Sequence, residues 1–361
     1  MQDSNFINKF YYEWWKNIDK PILFLIFLLF FLGLFFSLVS TSLIASDKLD
    51  TNSYHFFFKH FFYIILGMFF IIFFSSLKKE NLLRISVLFF LVFLFFLILV
   101  PIIGVEAKGS KRWLDFLFLP RFQPIEILKP FFIIIISLVL SSEKNKNIYL
   151  KYLLSFLAIL PIIFLLITQP DIGQTFLVFL TWLCLVFISG INLGIFFLFF
   201  GLMLSLIFYL IFFVERFNYI LIRIKSFFDP LSGNNYQSEK ASEAIINGGF
   251  FGKGIGEGVL KNRVPEAHTD YIISVISEEF GSIIIIVLMM IFLFFIYQIF
   301  KKLYFEKNEQ IKLILVGSIS IILFQALIHI GVNIRLFPTT GMTLPFLSYG
   351  GSSIVGTAIL S

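Results

Sequence analysis

The sequence predicts an all-α polytopic membrane protein, and three observations support that prediction. Hydrophobic residues make up 59% of the 361 positions, and phenylalanine alone occurs 53 times. Charged residues make up only 14%. Several apolar stretches continue for about 18 residues or more with few charges, which is the length that a membrane-spanning helix requires. A single soluble core cannot hold so many apolar side chains, and we expect about ten transmembrane helices in one membrane domain over residues 1–361.

The spans are assigned by taking each apolar run of about 20 residues as one helix. The first run is too long for the hydrophobic part of a secretory signal and is interpreted as a retained span. A tenth helix begins at GGSSIVGTAILS, and because ten residues of helix reach only about 15 Å, we expect the sequence to end inside it. The nine preceding spans are expected near 21–45, 57–77, 82–103, 124–142, 150–168, 172–189, 193–214, 270–300 and 311–337.

The basic residues of the short connections predict the orientation. Lys and Arg are enriched on the cytoplasmic side of membrane proteins. If the spans alternate, the connections near 78–84, 144–151 and 301–312 fall on one side, and all three are basic. We therefore expect that side, and the N-terminus with it, to be cytoplasmic. On the other side, the connections 169–171 and 338–350 carry no Lys or Arg.

The segment 104–125, GVEAKGSKRWLDFLFLPRFQPI, departs from this charge pattern because it places four basic residues on the predicted outer face. A bound anion would explain them. Alternatively, two acidic neighbours, Glu106 and Asp115, neutralise the loop together with lipid headgroups. The four basic residues are Lys108, Lys111, Arg112 and Arg121.

The segment 215–269 is the long outer connection. Its first part, RFNYILIRIKSFF at 216–228, repeats apolar residues at helical spacing with Arg223 and Lys225 between them, which predicts an amphipathic helix lying in the membrane interface. The polar, Gly-rich remainder predicts a mobile loop. Its GKGIGEG run follows no strand, and we interpret it as turn chemistry and not as a phosphate-binding loop.

The stretch PEAHTDYIISVISEEFGS at 265–282 places carboxylates at the start of and within an apolar run. If a helix begins near Asp270, then Asp270, Ser274, Ser277, Glu278 and Gly281 form one polar stripe. A stripe facing lipid would be costly, so it should face the bundle interior or a water-filled cavity. Two simpler interpretations remain open: Thr269 or Asp270 caps the helix, and Glu278 is a structural partner of a buried group.

Three further polar clusters interrupt the apolar runs. In FQPIEILKP, Glu126 and Lys129 lie three residues apart on one helix face, either as a self-neutralising pair or with Lys129 held for a lipid phosphate. In TQPDIGQT, Asp171 stands at a helix start within a tight, structural break between two spans. The third cluster, PTTGMTLPFLSYGG at 338–351, is too rich in Gly, Pro, Ser and Thr for a simple link and could line a cavity.

In order and spacing, these clusters resemble the SEDS family of bacterial cell-wall polymerases. The resemblance rests on KGSKRW…FQPIEILK, QPDIGQT, GGFFGKGIGEG…PEAHTDYIISVISEEFG and PTTGMTLPFLSYGGSS, and it extends over nearly the whole chain. The forms PEAHTD and PTTGMTLPF are more similar to the division branch of the family than to its elongation branch.

The resemblance implies a ten-span inverting glycosyltransferase that polymerises lipid II into peptidoglycan on the outer face of the cytoplasmic membrane, at the division septum. It implies a class B penicillin-binding protein, the septal transpeptidase, as partner, together with other divisome membrane proteins; no nucleic-acid partner is expected. The aspartate of its HTD motif, matching Asp270, is the essential acidic residue. Other family residues correspond to Arg112, Gln123, Glu126 and Lys129.

The reaction joins C1 of a lipid-pyrophosphate-linked sugar to the 4-hydroxyl of an incoming lipid II. Pyrophosphate is stable as an anion, so cations can replace the acid that glycosidases use. We expect Asp270 to act as general base, or else to hold a divalent cation, Mg or Mn. Lys129, Arg112, Lys111 and Arg121 are the candidate pyrophosphate ligands, with Gln123 and Glu126 beside them. A supporting polar cavity is expected from His268, Thr269, Glu278, Asp171, Ser348, Gly350 and Ser352.

A lipid-precursor flippase is the alternative from another functional class. In it, Glu278, Glu126 and Lys129 would line a polar path across the bilayer. A path of that kind also needs polar residues in the cytoplasmic half. The inner halves of most spans are nearly pure Phe, Ile and Leu, which favours chemistry at the outer surface.

Overall fold

The computed structural model describes residues 12–49, 54–107, 110–116, 119–142, 147–228, 236–260 and 264–361. Helices dominate these ranges, in the order α1 (Lys20–Leu49), α2 (His55–Ser75), α3 (Lys79–Ile103), α4 (Pro124–Leu140), α5 (Ile148–Thr168), α6 (Ile172–Ile188), α7 (Leu193–Phe213), α8 (Asn218–Phe228), α9 (Tyr236–Gly248), α10 (Ile272–Phe280), α11 (Ser282–Phe305), α12 (Glu309–Asn333) and α13 (Gly351–Leu360).

The helices confirm the polytopic membrane fold. Within the described ranges, seven of them (α1, α2, α3, α5, α7, α11 and α12) are long and apolar enough to cross a membrane. The helices α4, α6 and α13 are shorter but occupy the other predicted spans. The first seven spans, the ninth and the tenth each correspond to one helix of the structure.

The eighth predicted span, 270–300, is wrong as a single helix. The chain forms two helices there, α10 and α11, which meet at Gly281 with a backbone φ of 82° and ψ of 172°. A Cβ atom at Gly281 would lie 2.1 Å from the carbonyl oxygen of Phe250. The break therefore allows another part of the backbone to approach closely, which only glycine permits.

The segment between α3 and α4 is not the plain loop that the sequence predicted. It contains three antiparallel strands in the order β1 (Val105–Ala107), β2 (Ser110–Phe116) and β3 (Leu119–Phe122). The pairing places Glu106 opposite Lys111 and Leu114 opposite Phe122. Lys108, one of the four predicted basic residues, lies outside the described residues.

The long outer connection is more regular than predicted. The expected amphipathic helix is α8, preceded by a 3-10 turn at Glu215–Phe217. The prediction of a mobile loop is wrong for 236–260, which forms α9 and a packed turn. Lys253 N donates to Glu278 O and Gly254 N to Glu279 O, at 2.9 and 3.0 Å. The rest of that predicted loop, 229–235 and 261–263, lies outside the described residues.

Buried apolar side chains form two neighbouring clusters. One is centred on α4, where Ile125, Leu128, Ile133 and Ile136 are fully buried and pack against α3, α5 and α6. The other joins α1, α10, α11, α12 and α13 around Phe346. Helix α4 is therefore central in the bundle. Its first turn lies at the end of the bundle where α3, α5 and α12 end. Helices α2, α6 and α13 begin at the same end.

Candidate active site

A cavity of about 1260 Å³ opens at this end of the bundle. Its wall is built from the first turns of α2, α4 and α13, from strands β2 and β3, from α8 and from the turn before α10. The non-helical segment 339–350 supplies much of the remaining wall, as expected for a polar, Gly-rich segment at membrane depth. The cavity therefore collects polar residues from many separate parts of the chain.

Asp270 lies on the cavity wall in the turn that precedes α10. Its backbone N–H donates to Glu266 O at 3.1 Å, and its carbonyl accepts from Asn333 Nδ2 at 3.1 Å. These bonds anchor the backbone of Asp270 from the turn itself and from the end of α12. The N-cap of α10 is Tyr271, with no side-chain capping bond, so Asp270 does not cap this helix.

Arg112 approaches Asp270 from strand β2. A Cβ atom at Gly341 would lie 3.6 Å from both Arg112 Nη1 and Asp270 Oδ2, so the guanidinium and the carboxylate flank the same glycine. Arg112 Nη2 donates to Pro170 O, and Nη1 lies 3.7 Å from Asp171 Oδ1. The Arg112 side chain is only 12% exposed, so these contacts hold it in one direction.

Asp171 joins the break between α5 and α6 to the cavity wall. As predicted, it stands at a helix start: its Oδ1 accepts from Gln174 N at 3.3 Å as the N-cap of α6. Its Oδ2 accepts from Gln123 Nε2 at 2.8 Å. Asp171 thus orients Gln123 and Arg112 together, and both line the cavity.

Arg223 is a cavity residue that sequence reasoning missed. It lies on α8 three residues after the buried Ile220, and therefore on the same helix face. Burial lowers the pKa of its guanidinium, and so does the nearby positive charge of Arg112. The sequence pattern that could have identified Arg223 is its position on the same face of the amphipathic helix as the buried apolar residues. Asp270 consequently shares its cavity with arginines from distant parts of the chain, Arg112, Arg121 and Arg223.

Glu126 and Lys129 form a buried ion pair with 2.7 Å between Oε2 and Nζ. Lys129 Nζ also donates to Gln325 Oε1 at 3.0 Å, and Gln325 Nε2 donates to Thr343 O at 3.0 Å. Glu126 contributes to the cavity wall, but Lys129, 1% exposed, does not. The structure therefore favours the self-neutralising pair and ties α4 through α12 to the segment 339–350.

The other predicted site residues divide into two groups. Thr269, Gly350, Ser352 and Arg121 line the cavity, with Arg121 at its exposed rim, 3.1 Å from Asp115. Lys111, His268, Glu278 and Ser348 do not line it.

For two of the residues that do not line the cavity, Glu278 and Ser348, the structure shows the reason. The Glu278 carboxylate, fully buried, accepts from Leu260 N at 2.9 Å and from Asn247 Nδ2 at 3.3 Å. It therefore holds the outer segment as a structural partner and does not line the cavity, where the sequence placed it. Ser274, Ser277 and Glu278 are buried, as predicted for a polar stripe that faces the bundle interior. Ser348 Oγ donates to Thr269 O at 2.7 Å and supports the turn before α10.

The donor set at Asp270 is poor for a metal held by protein alone. In the part of the chain that the structure describes, no group of three or more His, Cys, Asp or Glu side chains is placed to hold an ion. Arg112 and Arg223 line the same cavity as Asp270, and their positive charges suit an anionic ligand. Any divalent ion there would take most of its ligands from substrate and water.

Comparison with known proteins places these features in a family. A sequence model of FtsW, RodA and SpoVE proteins, described as "Cell cycle protein", matches residues 20–361. The chain is 32% identical to a "Probable peptidoglycan glycosyltransferase FtsW" of Caulobacter vibrioides over 352 residues, covering 96% of this chain and 88% of that protein. A protein of the same description from Buchnera aphidicola is 37% identical over 279 residues, covering 75% and 78%.

Solved structures share the fold. A chain from a study titled "Structural coordination of polymerization and crosslinking by a peptidoglycan synthase complex" superposes with a TM-score of 0.75 at 24% identity, covering 95% of each chain. Rod shape determining protein RodA of Thermus thermophilus superposes with a TM-score of 0.68 at 24% identity, covering 96% of this chain and 95% of that one.

Proposed function

The chain belongs to the FtsW, RodA and SpoVE family of cell cycle proteins, and on that premise we propose that it is a peptidoglycan glycosyltransferase that polymerises lipid II during septal wall synthesis. The observation that carries the proposal is the placement of Asp270 and Arg112 next to the same glycine, Gly341, on the wall of a large cavity. The relatives described as peptidoglycan glycosyltransferases support the same activity.

The geometry suits an inverting transfer to a pyrophosphate leaving group. Asp270 takes the proton from the 4-hydroxyl of the acceptor as that oxygen bonds to C1 of the donor sugar. The bond from C1 to the pyrophosphate oxygen breaks, and the electron pair leaves with the pyrophosphate. Arg112 stabilises the negative charge that develops there, since a guanidinium group binds phosphate oxygens through charge-assisted hydrogen bonds. No protonated acid is required at the leaving group.

A divalent cation at Asp270 is the second candidate for the chemistry at this residue. The carboxylate would supply one ligand, and the ion would supply charge stabilisation to the pyrophosphate when bound. Glycan synthesis measured in a chelator, and again after Mg or Mn is restored, distinguishes the two roles. Full activity in the chelator supports the general base, and loss with recovery supports the cation.

The polarity of the bundle supports an active site on the outer face. The basic connections at 78–84 and 301–312 lie at the end opposite to the cavity, as expected for the cytoplasmic side. A location in the bacterial cytoplasmic membrane at the septum follows from the proposed activity. So does assembly with a class B penicillin-binding protein and other divisome membrane proteins. The structure described for a synthase complex that couples polymerisation with crosslinking supports the transpeptidase partner.

Translocation of the precursor is less well supported. Its polar path would run through Glu278, Glu126 and Lys129, yet Glu278 is bonded to the outer segment and Lys129 is paired within the bundle. Of these three residues, only Glu126 reaches the cavity wall.

The test is glycan-strand formation from lipid II by the purified protein with its cognate transpeptidase. We expect strands from the native chain and none from Asp270→Asn, with the melting temperature unchanged. Glu243→Gln, which removes an exposed carboxylate on α9, is the matched control and should retain full activity. Normal turnover by Asp270→Asn would contradict the proposed chemistry. Precursor crossing liposomes without strand formation would instead support the flippase.

A further inference from the structure

A second, smaller pocket of about 240 Å³ adjoins the main cavity. Arg223, Gln237 and Thr339 line both spaces, so these three residues form the boundary between them. Arg335, just beyond the end of α12, is the other charged residue of the small pocket. Among the described residues, the lining of this pocket includes two arginines and no carboxylate.

Within the described residues, neither arginine forms an ion pair with a carboxylate, although the negative charge of Asp171 acts on Arg223. In the described ranges, the carboxylate ion pairs involve Arg112, Arg121 and three lysines, and neither Arg223 nor Arg335 takes part. Guanidinium groups bind phosphate oxygens through charge-assisted hydrogen bonds. The arrangement therefore indicates an anionic ligand.

The apolar part of the lining indicates what that anion is attached to. Ile222 and Phe337 border the pocket and are 64% and 44% exposed. Ile222 belongs to the amphipathic helix α8, which the sequence predicts to lie in the membrane interface, and Phe337 lines the same pocket. A basic pocket with an apolar border at this depth suits the phosphate of a lipid better than a soluble anion.

The backbone at Arg335 provides an independent observation. Helix α12 ends in a Schellman motif, with Leu336 N donating to Gly331 O and Arg335 N to Val332 O, at 2.7 and 3.2 Å. Arg335 occupies the left-handed position of this motif, at a φ of 60°, where glycine is usual because it has no Cβ penalty. A residue that costs backbone energy there is explained by the use of its side chain.

We propose that this pocket holds the pyrophosphate of the acceptor lipid II, while the Arg112 side of the cavity holds that of the donor; the inference rests on the proposed function. In the donor, the pyrophosphate is attached to the reacting C1 and must lie beside Asp270. In the acceptor, the reacting 4-hydroxyl and the pyrophosphate are on different sugars. The acceptor's pyrophosphate therefore requires a second basic site, one disaccharide away.

The test is the stoichiometry of lipid II binding, measured by native mass spectrometry on the full chain carrying Asp270→Asn. We expect two molecules per chain in this background. Adding Arg335→Gly should lower the binding affinity for the second molecule of lipid II by about tenfold or more, as the loss of a charge-assisted hydrogen bond predicts. Glycine suits the left-handed position, so the melting temperature of the Arg335→Gly chain should be unchanged. Lys225→Gln, an exposed cation on α8 that lines neither space, is the matched control.

The possible outcomes distinguish failure of the second binding site from failure of the proposed function. Two molecules bound with unchanged affinity after Arg335→Gly would overturn the second site. Competition by polyprenyl pyrophosphate supports a lipid ligand, whereas competition by inorganic pyrophosphate alone overturns it. Two bound molecules without strands from the native complex would reject the polymerase and keep the site. Strands formed equally well by native and Arg335→Gly chains at limiting lipid II would reject the site and keep the polymerase.

Discussion

The Glu126 and Lys129 pair shows how a single helical turn carries opposite charges into an apolar core. Both residues are nearly fully buried, at 4% and 1% exposure. Transfer of either ion alone into such surroundings costs several kcal/mol, and the partner's charge offsets that cost only while both are present. Hydrogen bonds from Gln174 and to Gln325 satisfy further polar atoms. The pair therefore positions α4 and does not need to contact substrate.

Lys129→Met tests this interpretation. The substitution leaves the Glu126 carboxylate buried without its cation, and we expect a loss of about 3–5 kcal/mol in the free energy of unfolding. The double variant Glu126→Gln with Lys129→Met removes both charges and should recover much of that loss. Unfolding in mixed detergent micelles measures both. A stable Lys129→Met chain that no longer binds lipid II would contradict the structural role and restore Lys129 as a phosphate ligand.

The boundary between α10 and α11 is the element on which the site depends. Gly281 allows the chain to leave α10, and the turn at 249–254 packs against the break through bonds from Ser282 N to Gly249 O and from Lys253 N to Glu278 O, both 2.9 Å. An uninterrupted helix would carry α10 along the axis of α11. The turn that holds Asp270 would then move away from Arg112.

Gly281→Ala should therefore be strongly destabilising. The added Cβ would lie 2.1 Å from Phe250 O, at a φ that alanine rarely adopts. We expect a lower melting temperature and faster proteolysis of 236–260, with loss of glycan synthesis. Gly201→Ala is the matched control because a Cβ there meets nothing within 4 Å. Within a helix this change should stabilise by about 0.5–1 kcal/mol. Equal effects of the two substitutions would disprove the role of the break.

The whole molecule has two chemically different ends. One end collects the cavity, the two small-pocket arginines and Asp270. The other carries the basic connections, where Lys302 pairs with Asp19 at 2.6 Å and lowers the pKa of that carboxylate despite partial burial. The helices between them present apolar side chains outward, and α7 is the least buried, at 6% of its apolar window. This polarity matches a protein that works at one membrane surface.

Labelling of single cysteines tests the orientation. In a Cys184→Ser background, Phe251→Cys and Tyr304→Cys each place a thiol where the native side chain is 84% exposed, at opposite ends of the bundle. A membrane-impermeant maleimide added to intact spheroplasts should label position 251 alone. Labelling of both positions after lysis is the control. Labelling of position 304 alone in intact cells would invert the orientation and place the cavity on the cytoplasmic side.

The sequence by itself determined the membrane class, the number and approximate limits of most spans, the amphipathic helix and the polar residues to consider. Those features depend on local composition and periodicity, because apolar length and charge decide where a segment can lie. It also identified Asp171 as a helix start, since capping is a local interaction.

Only the tertiary structure decided which polar residues share a cavity. Arg112, Arg223 and Asp270 lie far apart in the chain, and their meeting depends on how β2, α8 and α10 pack. Glu278 and Lys129 had the same sequence signals as Asp270, yet both are neutralised or bonded within the fold. The break at Gly281 arises from a long-range approach of Phe250. Such contacts are set by packing between distant segments, which no local pattern specifies.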